Sequence, residues 1–227
     1  MSTLPTSQDL QAAGKVVFCS VGFLRLRWFL RNPASTAISV LDSPIDPNSP
    51  QQPMYDPDTG AVHPVAASPA TEPLVSSLRV TIRPLSGHAD AWDEGHNGHE
   101  DAEWDGSRRV RCCGQDVPGP GPHLDIQGSG PGGVVTVGDL IGAAHPWLMC
   151  LEDEIRTARG AARCTKLESK FEMFVYPSQP LDLDVRDLRG TTKAWMDWHW
   201  KMASQDAMRL FEKANAAAGE GGEGGGL

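Results

Sequence analysis

Eight of the chain's 18 prolines fall between Leu41 and Pro73, at Pro44, Pro47, Pro50, Pro53, Pro57, Pro64, Pro69 and Pro73. Each removes a backbone donor and holds its predecessor extended, so neither a helix nor an interior strand fits there. The stretch reads as a loop or extended linker. Glycine adds 24 residues, and only 40% of the 227 residues are hydrophobic, against roughly 45–50% in ordinary domains. Much of the chain is therefore expected to lie outside a core. A coiled coil, a repeat solenoid and a membrane-embedded protein are excluded by the same composition.

The net charge of −9 is unevenly spread: residues 88–105 hold seven acids and no Lys or Arg. A nucleic-acid partner needs a basic face. The only local excesses of base are Lys15, Arg25, Arg27 and Arg31 near the start, and Arg108, Arg109 and Arg111, so no nucleic acid is expected. The apolar run Val16–Leu24 spans nine residues, far short of the roughly 20 that cross a bilayer. No membrane association is expected, and an organelle-targeting role for residues 1–31 stays open. Five cysteines at irregular spacing read as reduced thiols of a cytoplasmic or nuclear protein. The adjacent pair Cys112-Cys113 is of a kind that binds metal or oxidises, but neighbours in a strand point to opposite faces, so one is expected buried and one exposed.

Strand candidates lie near residues 74–82, 108–113, 123–127 and 172–176, where β-prone residues stand between turn formers. The best-specified helix starts after Thr136. Val137, Leu140, Ile141, Ala144, Leu148, Leu151 and Ile155 recur at helical spacing, and Thr136 with Asp139 has the capping-box form. Pro146 predicts a kink, or a break with a restart near Pro146, in the helical span 137–158. A weaker helical stretch covers 161–171, and a long helix runs from about 192 to 217. The expected architecture is α+β: a small, mainly antiparallel sheet packed against two or three helices, with a disordered linker, insertion and tail. In domain terms, residues 1–25 are a partly disordered N-terminal segment and 26–217 one domain. That domain carries the Pro-rich loop 41–73 and a solvated acidic insertion 88–106, and 218–227 form a disordered Gly-rich tail.

Few residues gather into chemistry. His96, His99 and Glu100 sit in the acidic block at spacings that suit a divalent metal if the segment turns helical, with Cys112 or His123 as further candidates. Asn97-Gly98 between the histidines favours a turn. Gly128-Ser129-Gly130-Pro131-Gly132-Gly133 matches GxGxxG in form, but Pro131 and Val134-Val135 intervene before any helix, so it reads as a turn. No GxSxG, HExxH or similar nucleophile motif occurs. His145 and His199 read as packing residues, and Asp182, Asp184 and Asp187 with Arg186 and Arg189 as a charge-balanced surface loop. Trp195, Trp198 and Trp200 give the last helix an apolar arc wider than a small domain usually covers: either the core buries the arc or part of it meets a partner, and these three are the candidate partner-binding residues.

Three segments resemble an uncharacterised domain family of mushroom-forming fungi. They are Leu26-Arg27-Trp28 through Arg31-Asn32-Pro33-Ala34-Ser35-Thr36-Ala37, then Ala70-Thr71-Glu72-Pro73 with Leu78-Arg79-Val80, then Val135-Thr136-Val137-Gly138-Asp139-Leu140-Ile141 with Ala144-His145 and Leu148. The resemblance spans about residues 26 to 212. Phe29 stands where the family has Asp, and stretches 41–65 and 88–106 stand as insertions. The resemblance implies a domain that begins near Trp28, and it assigns no catalytic residue.

The functional expectation is a non-enzymatic intracellular interaction module with a protein partner or self-association and no cofactor. The alternative is a small metal-dependent or hydrolytic enzyme built on the His/acid segment 88–105.

Overall fold

The computed structural model describes residues 4–31, 33–161, 172–188 and 193–220. The chain opens with α1 (Ser7–Ala12), β1 (Phe18–Cys19), α2 (Val21–Leu24), β2 (Leu26–Leu30), α3 (Ala34–Ala37), β3 (Ile38–Leu41), β4 (Gln51–Pro53), β5 (Thr71–Glu72) and β6 (Ser77–Ile82). It continues through α4 (Arg83–Ser86), α5 (His88–Gly95), β7 (Glu103–Asp105), β8 (Arg108–Cys112), β9 (Gln115–Asp116) and β10 (His123–Gln127). Then come α6 (Val137–Cys150), α7 (Glu152–Ala161), β11 (Met173–Tyr176), β12 (Asp182–Asp187) and α8 (Lys193–Glu220). The expected helical stretch 161–171 and most of the tail lie outside the described residues.

Seven strands form the main sheet in the order β10-β6-β12-β11-β2-β3-β4. Every pairing is antiparallel except β12 with β6, so the fold is the α+β arrangement of a mainly antiparallel sheet against helices. The segment 108–113 is not part of it: β8 pairs only with β7 and β9 in a separate three-stranded leaf.

Both faces of the main sheet are covered. Side chains alternate across a strand, and Trp28 reaches the α6 side, where its Nε1–H donates to His145 Nδ1 at 3.0 Å. Its neighbours Arg27 and Phe29 meet Trp200 of α8, with the guanidinium 4.6 Å and the phenyl ring 6.1 Å from the indole. Four of the five residues of β2 are consequently buried. Burial pulls the Arg27 guanidinium down to about 10, with Asp197 opposing, so it stays charged at neutral pH.

α6 starts as its sequence predicts. Thr136 Oγ1 accepts the Asp139 N–H at 3.1 Å, and the Asp139 carboxylate accepts the Thr136 N–H at 2.9 Å. The glycine turn before it is part of the same clasp, because Ser129 N–H also donates to Asp139 at 3.1 Å. A Cβ on Gly128 would stand 2.3 Å from the Gly133 carbonyl oxygen, so only glycine allows this approach. Val137, Leu140, Ile141, Ala144, His145 and Leu148 are buried. The helix runs through Pro146 and breaks instead at Leu151. Gly142 and Pro146 are exposed, which places the carbonyl that loses its donor on the solvent side.

Four other expectations are corrected. The N-terminal segment is built into the domain: Leu10, Val17, Cys19, Phe23 and Leu24 are buried, and Ser7 accepts the Arg79 N–H at 3.0 Å. The Pro-rich stretch is ordered and contributes β4 at the sheet edge, where Pro53 needs no ladder donor, while Met54 and Ala70 are fully buried. Segment 88–106 keeps its seven acids exposed, as expected of a solvated insertion, but it is folded into α5 and β7 with Trp92 buried. Finally, Asp182–Asp187 is an interior strand rather than a surface loop, and Asp184 and Asp187 are buried.

Candidate functional site

The leaf β7–β9 is built from two tight hairpins. Gly106 has φ +60° in the first turn, and Cys113 and Gly114 have φ of +51° and +72° in the second. Two consecutive positive φ values define the type I′ turn that suits the twist of a two-residue hairpin. Its first position is usually Asn, Asp or Gly, and here it is cysteine. The division expected of Cys112-Cys113 holds in burial but not in side-chain direction. Cys112 is buried and Cys113 exposed, yet both Sγ atoms lie on one side, 3.9 Å apart.

Two further side chains converge on them from the segment that leads into β7. Asp101 accepts the Cys113 N–H at 2.9 Å, and its other oxygen accepts from the Cys112 thiol at 3.3 Å. His99 Nδ1 lies 3.2 Å from Cys113 Sγ. One donor atom from each of His99, Asp101, Cys112 and Cys113 lies within 4.8 Å of the other three. Hydrogen bonding from Cys112 holds the Asp101 carboxyl below the usual carboxylate range. Burial, and then the bond to Asp101, push the Cys112 thiol up to about 11.

Of the residues singled out from sequence, His99 belongs to this cluster, with Cys112, whereas His96, Glu100 and His123 do not. His96 Nδ1 is 2.7 Å from the Trp92 carbonyl oxygen, and its ring stacks on Trp92 at 4.4 Å between centroids. It meets the His99 ring edge-on at 5.4 Å, so it positions that ring from behind. Glu100 is exposed outside the cluster, and His123 sits on β10 beside Asp125. Asp101 stands in the acidic block and Cys113 in the cysteine pair, but neither was among the expected ligands. The usable signal was Cys-Gly standing between two strand segments where Asn-Gly usually stands, which places the cysteine in a left-handed turn.

The second candidate surface is the start of α8. Trp200 is buried at 1% exposure, against Phe174 at 4.9 Å, and is no contact residue. Trp195 and Trp198 are 43% and 56% exposed. Their rings flank His199, at 3.8 and 4.7 Å between centroids, while the Tyr176 hydroxyl donates to the His199 carbonyl at 3.1 Å. Burial and then Arg186 hold the His199 imidazole below the usual histidine range.

The molecule has a cleft of about 430 Å³ between the α1–β1 segment and α8, and one of about 490 Å³ beside Pro118–Pro122 and α7. Neither is lined by any of the four clustered donors. No described helix is long and apolar enough to cross a membrane. Fold and surfaces together define an α+β protein with an appended thiol- and imidazole-bearing β leaf. No family model, curated protein or solved structure matches the chain.

Proposed function

We propose that the chain is a non-enzymatic, intracellular protein-interaction module. Its contact surface is the face of α8 that carries Trp195 and Trp198. The observation that carries this reading is the division among the three tryptophans: one anchors the helix, and two stay exposed side by side one turn apart. Large, rigid aromatics of this kind supply most of the energy where a helix enters a partner's groove. Lys201 is exposed on the same helix, whereas Arg209 pairs with Asp206 at 3.7 Å, so the fitting partner is a protein with an apolar groove and an acidic group at its rim facing Lys201. The four described free thiols support a reducing compartment, cytoplasmic or nuclear. The acidic net charge argues against a nucleic-acid partner.

The test compares the whole chain with the Trp195→Ala/Trp198→Ala double variant. A partner captured from the source cell is purified, and the binary complex is rebuilt and titrated. The reading requires at least a tenfold loss of affinity in the variant and weakening with salt. Equal affinities overturn it, and so does a concentration-dependent homodimer that the double substitution dissolves.

A further inference from the structure

We propose that His99, Asp101, Cys112 and Cys113 bind one zinc(II) ion, through Nδ1, a carboxylate oxygen and two thiolate sulfurs, and that the ion closes the β7–β9 leaf. This is independent of the tryptophan face.

Donor chemistry is the first support. Two sulfurs, an imidazole nitrogen and a carboxylate oxygen are the soft and borderline ligands that zinc takes in four-coordinate sites, whereas magnesium and calcium take oxygen alone. Geometry is the second. With Zn–S near ~2.3 Å and Zn–N or Zn–O near ~2.0–2.2 Å, the edges of a tetrahedron are about 3.8 Å between sulfurs and about 3.6 Å between sulfur and nitrogen or oxygen. The observed edges are 3.9 Å for Cys112–Cys113, 3.2 Å for His99–Cys113, 3.3 Å for Cys112–Asp101 and 3.8 Å for Cys113–Asp101. These four edges lie within a few tenths of an ångström of the value an ion imposes, and the two remaining ones, from His99 to Asp101 and to Cys112, are no longer than 4.8 Å, so binding asks the His99 ring to close on the other three donors.

The surroundings orient the donors. The Cys113 N–H holds one Asp101 oxygen at 2.9 Å and leaves the other directed at both sulfurs. His99 meets His96 edge-on, and His96 is fixed on the buried Trp92 by its hydrogen bond and stacking contact. Such outer partners set ring and carboxylate orientation in metal sites.

Two costs of the leaf also find their reason here. A cysteine in the left-handed region is disfavoured by about 1–2 kcal/mol, and it replaces the residues that type I′ turns prefer. It is this turn that brings the two sulfurs together. The leaf also has almost no core: β7 and β9 expose every residue, and β8 buries only Arg109 and Cys112. A three-stranded leaf without apolar burial needs a staple of another kind, and metal binding provides folding energy directly. The four protein donors complete the coordination and leave no position for substrate, and the cluster lies outside both clefts. The ion is therefore structural. On binding, the two Zn–S bonds form as the two thiol protons pass to solvent.

The full chain, reduced and free of any affinity tag, is titrated with zinc(II) against a chromophoric chelator and separately with cobalt(II). The proposal expects one ion per chain. With cobalt it expects thiolate charge-transfer absorption in the near ultraviolet and the visible bands of a tetrahedral ion. Cys112→Ser/Cys113→Ser should weaken zinc binding by about 100-fold or more, and Asp101→Asn, which keeps the shape and one acceptor oxygen for the Cys113 N–H, by about tenfold or more. Glu100→Gln should leave affinity unchanged. Zinc should slow amide exchange in residues 99–116 of the wild type, with circular dichroism reporting that the main sheet is folded in every variant. Uptake well below one ion per reduced chain overturns the proposal, as does cobalt bound without thiolate absorption, or affinity unchanged in the double serine variant.

Discussion

The main sheet and the leaf are both antiparallel β structures of one chain, yet they are held together by opposite means. In the sheet, β2 buries four of five residues and β12 four of six, because α6 covers one face and α8 the other. Acids in β12 are retained only with partners: Asp184 accepts from Arg186 at 2.7 Å, and Asp187 faces Arg159 of α7 at 3.7 Å. In the leaf, single polar residues do what area does in the sheet. Arg109, with its side chain 5% exposed, donates to the Asp93 carbonyl at 2.8 Å, reaches the Asp93 carboxylate at 3.0 Å, and lies 5.0 Å over the Trp104 ring. A sheet held by area loses stability in proportion to the side chain removed. A leaf held by points detaches when one point is lost.

The largest expected effect is therefore in the sheet. Trp200→Ala removes the ring that covers Phe174, Phe29 and the Arg27 guanidinium at once. It should cost about 3–5 kcal/mol in urea unfolding, as large aromatic truncations in cores do, with the denaturant slope unchanged. A loss below about 1 kcal/mol would mean that α8 does not pack on this face as described.

Arg109→Ala should act next in size and differently in kind. Its charge-assisted hydrogen bonds are worth about 1.5–3 kcal/mol, and Asp93 is already exposed, so no buried charge is orphaned. The expected result is faster amide exchange confined to residues 103–116, with the urea midpoint of the main sheet little moved. If the global midpoint falls as far as in Trp200→Ala, leaf and sheet are one cooperative unit and the contrast fails.

How much of this was readable from sequence follows the same contrast. Local signals were legible: the Thr136–Asp139 box and the stripe Val137, Leu140, Ile141, Ala144 and Leu148 name the start and the buried face of α6, because cap and periodicity lie within a few turns. Non-local ones were not. Asp182–Asp187 reads as a polar loop until Arg159 arrives from α7, and the buried strand β2 hides its alternation because both faces are covered. Prolines at 41–73 forbid an interior strand but not an edge one such as β4. At the candidate site, His99 and the Cys112-Cys113 pair were legible as ligand types, but their convergence was not, since one left-handed residue reversed the side-chain direction that a strand implies.

A smaller effect concerns the buried His145. Trp28 Nε1–H is a donor only, so His145 Nδ1 accepts and the neutral ring carries its proton on Nε2. Burial holds this imidazole below the usual histidine range, with the Arg31 backbone opposing. The folded pKa is therefore lower than the unfolded value of about 6.5. The unfolded chain binds more protons in that interval, so stability is fully present above about pH 6.5 and is lost as pH falls through the folded value. His63, His88 and His199 are lowered too, each by burial first, and add in the same direction. Unfolding measured at pH 7.5 and 5.5 should show lower stability at 5.5. In His145→Gln, whose side-chain oxygen can take the Trp28 N–H, the difference should shrink, and equal differences would remove His145 as a contributor.

The smallest expected effect sharpens the contrast from within α8. Trp198 lies two residues from Trp200 but is 56% exposed, with one edge-on contact to His199 at 4.7 Å. Trp198→Ala gives up an aromatic contact worth about 0.5–1 kcal/mol at most in this exposed setting. It gains a few tenths of a kcal/mol from the higher helix propensity of alanine. The two nearly cancel, so urea unfolding should move by no more than about 0.5 kcal/mol in either direction. The ratio between this change and that of Trp200→Ala separates a residue that holds the fold from one that the fold presents. A loss above about 2 kcal/mol for Trp198→Ala would place its ring inside the structural core of the helix, and would remove the physical basis for reading that face as a contact surface.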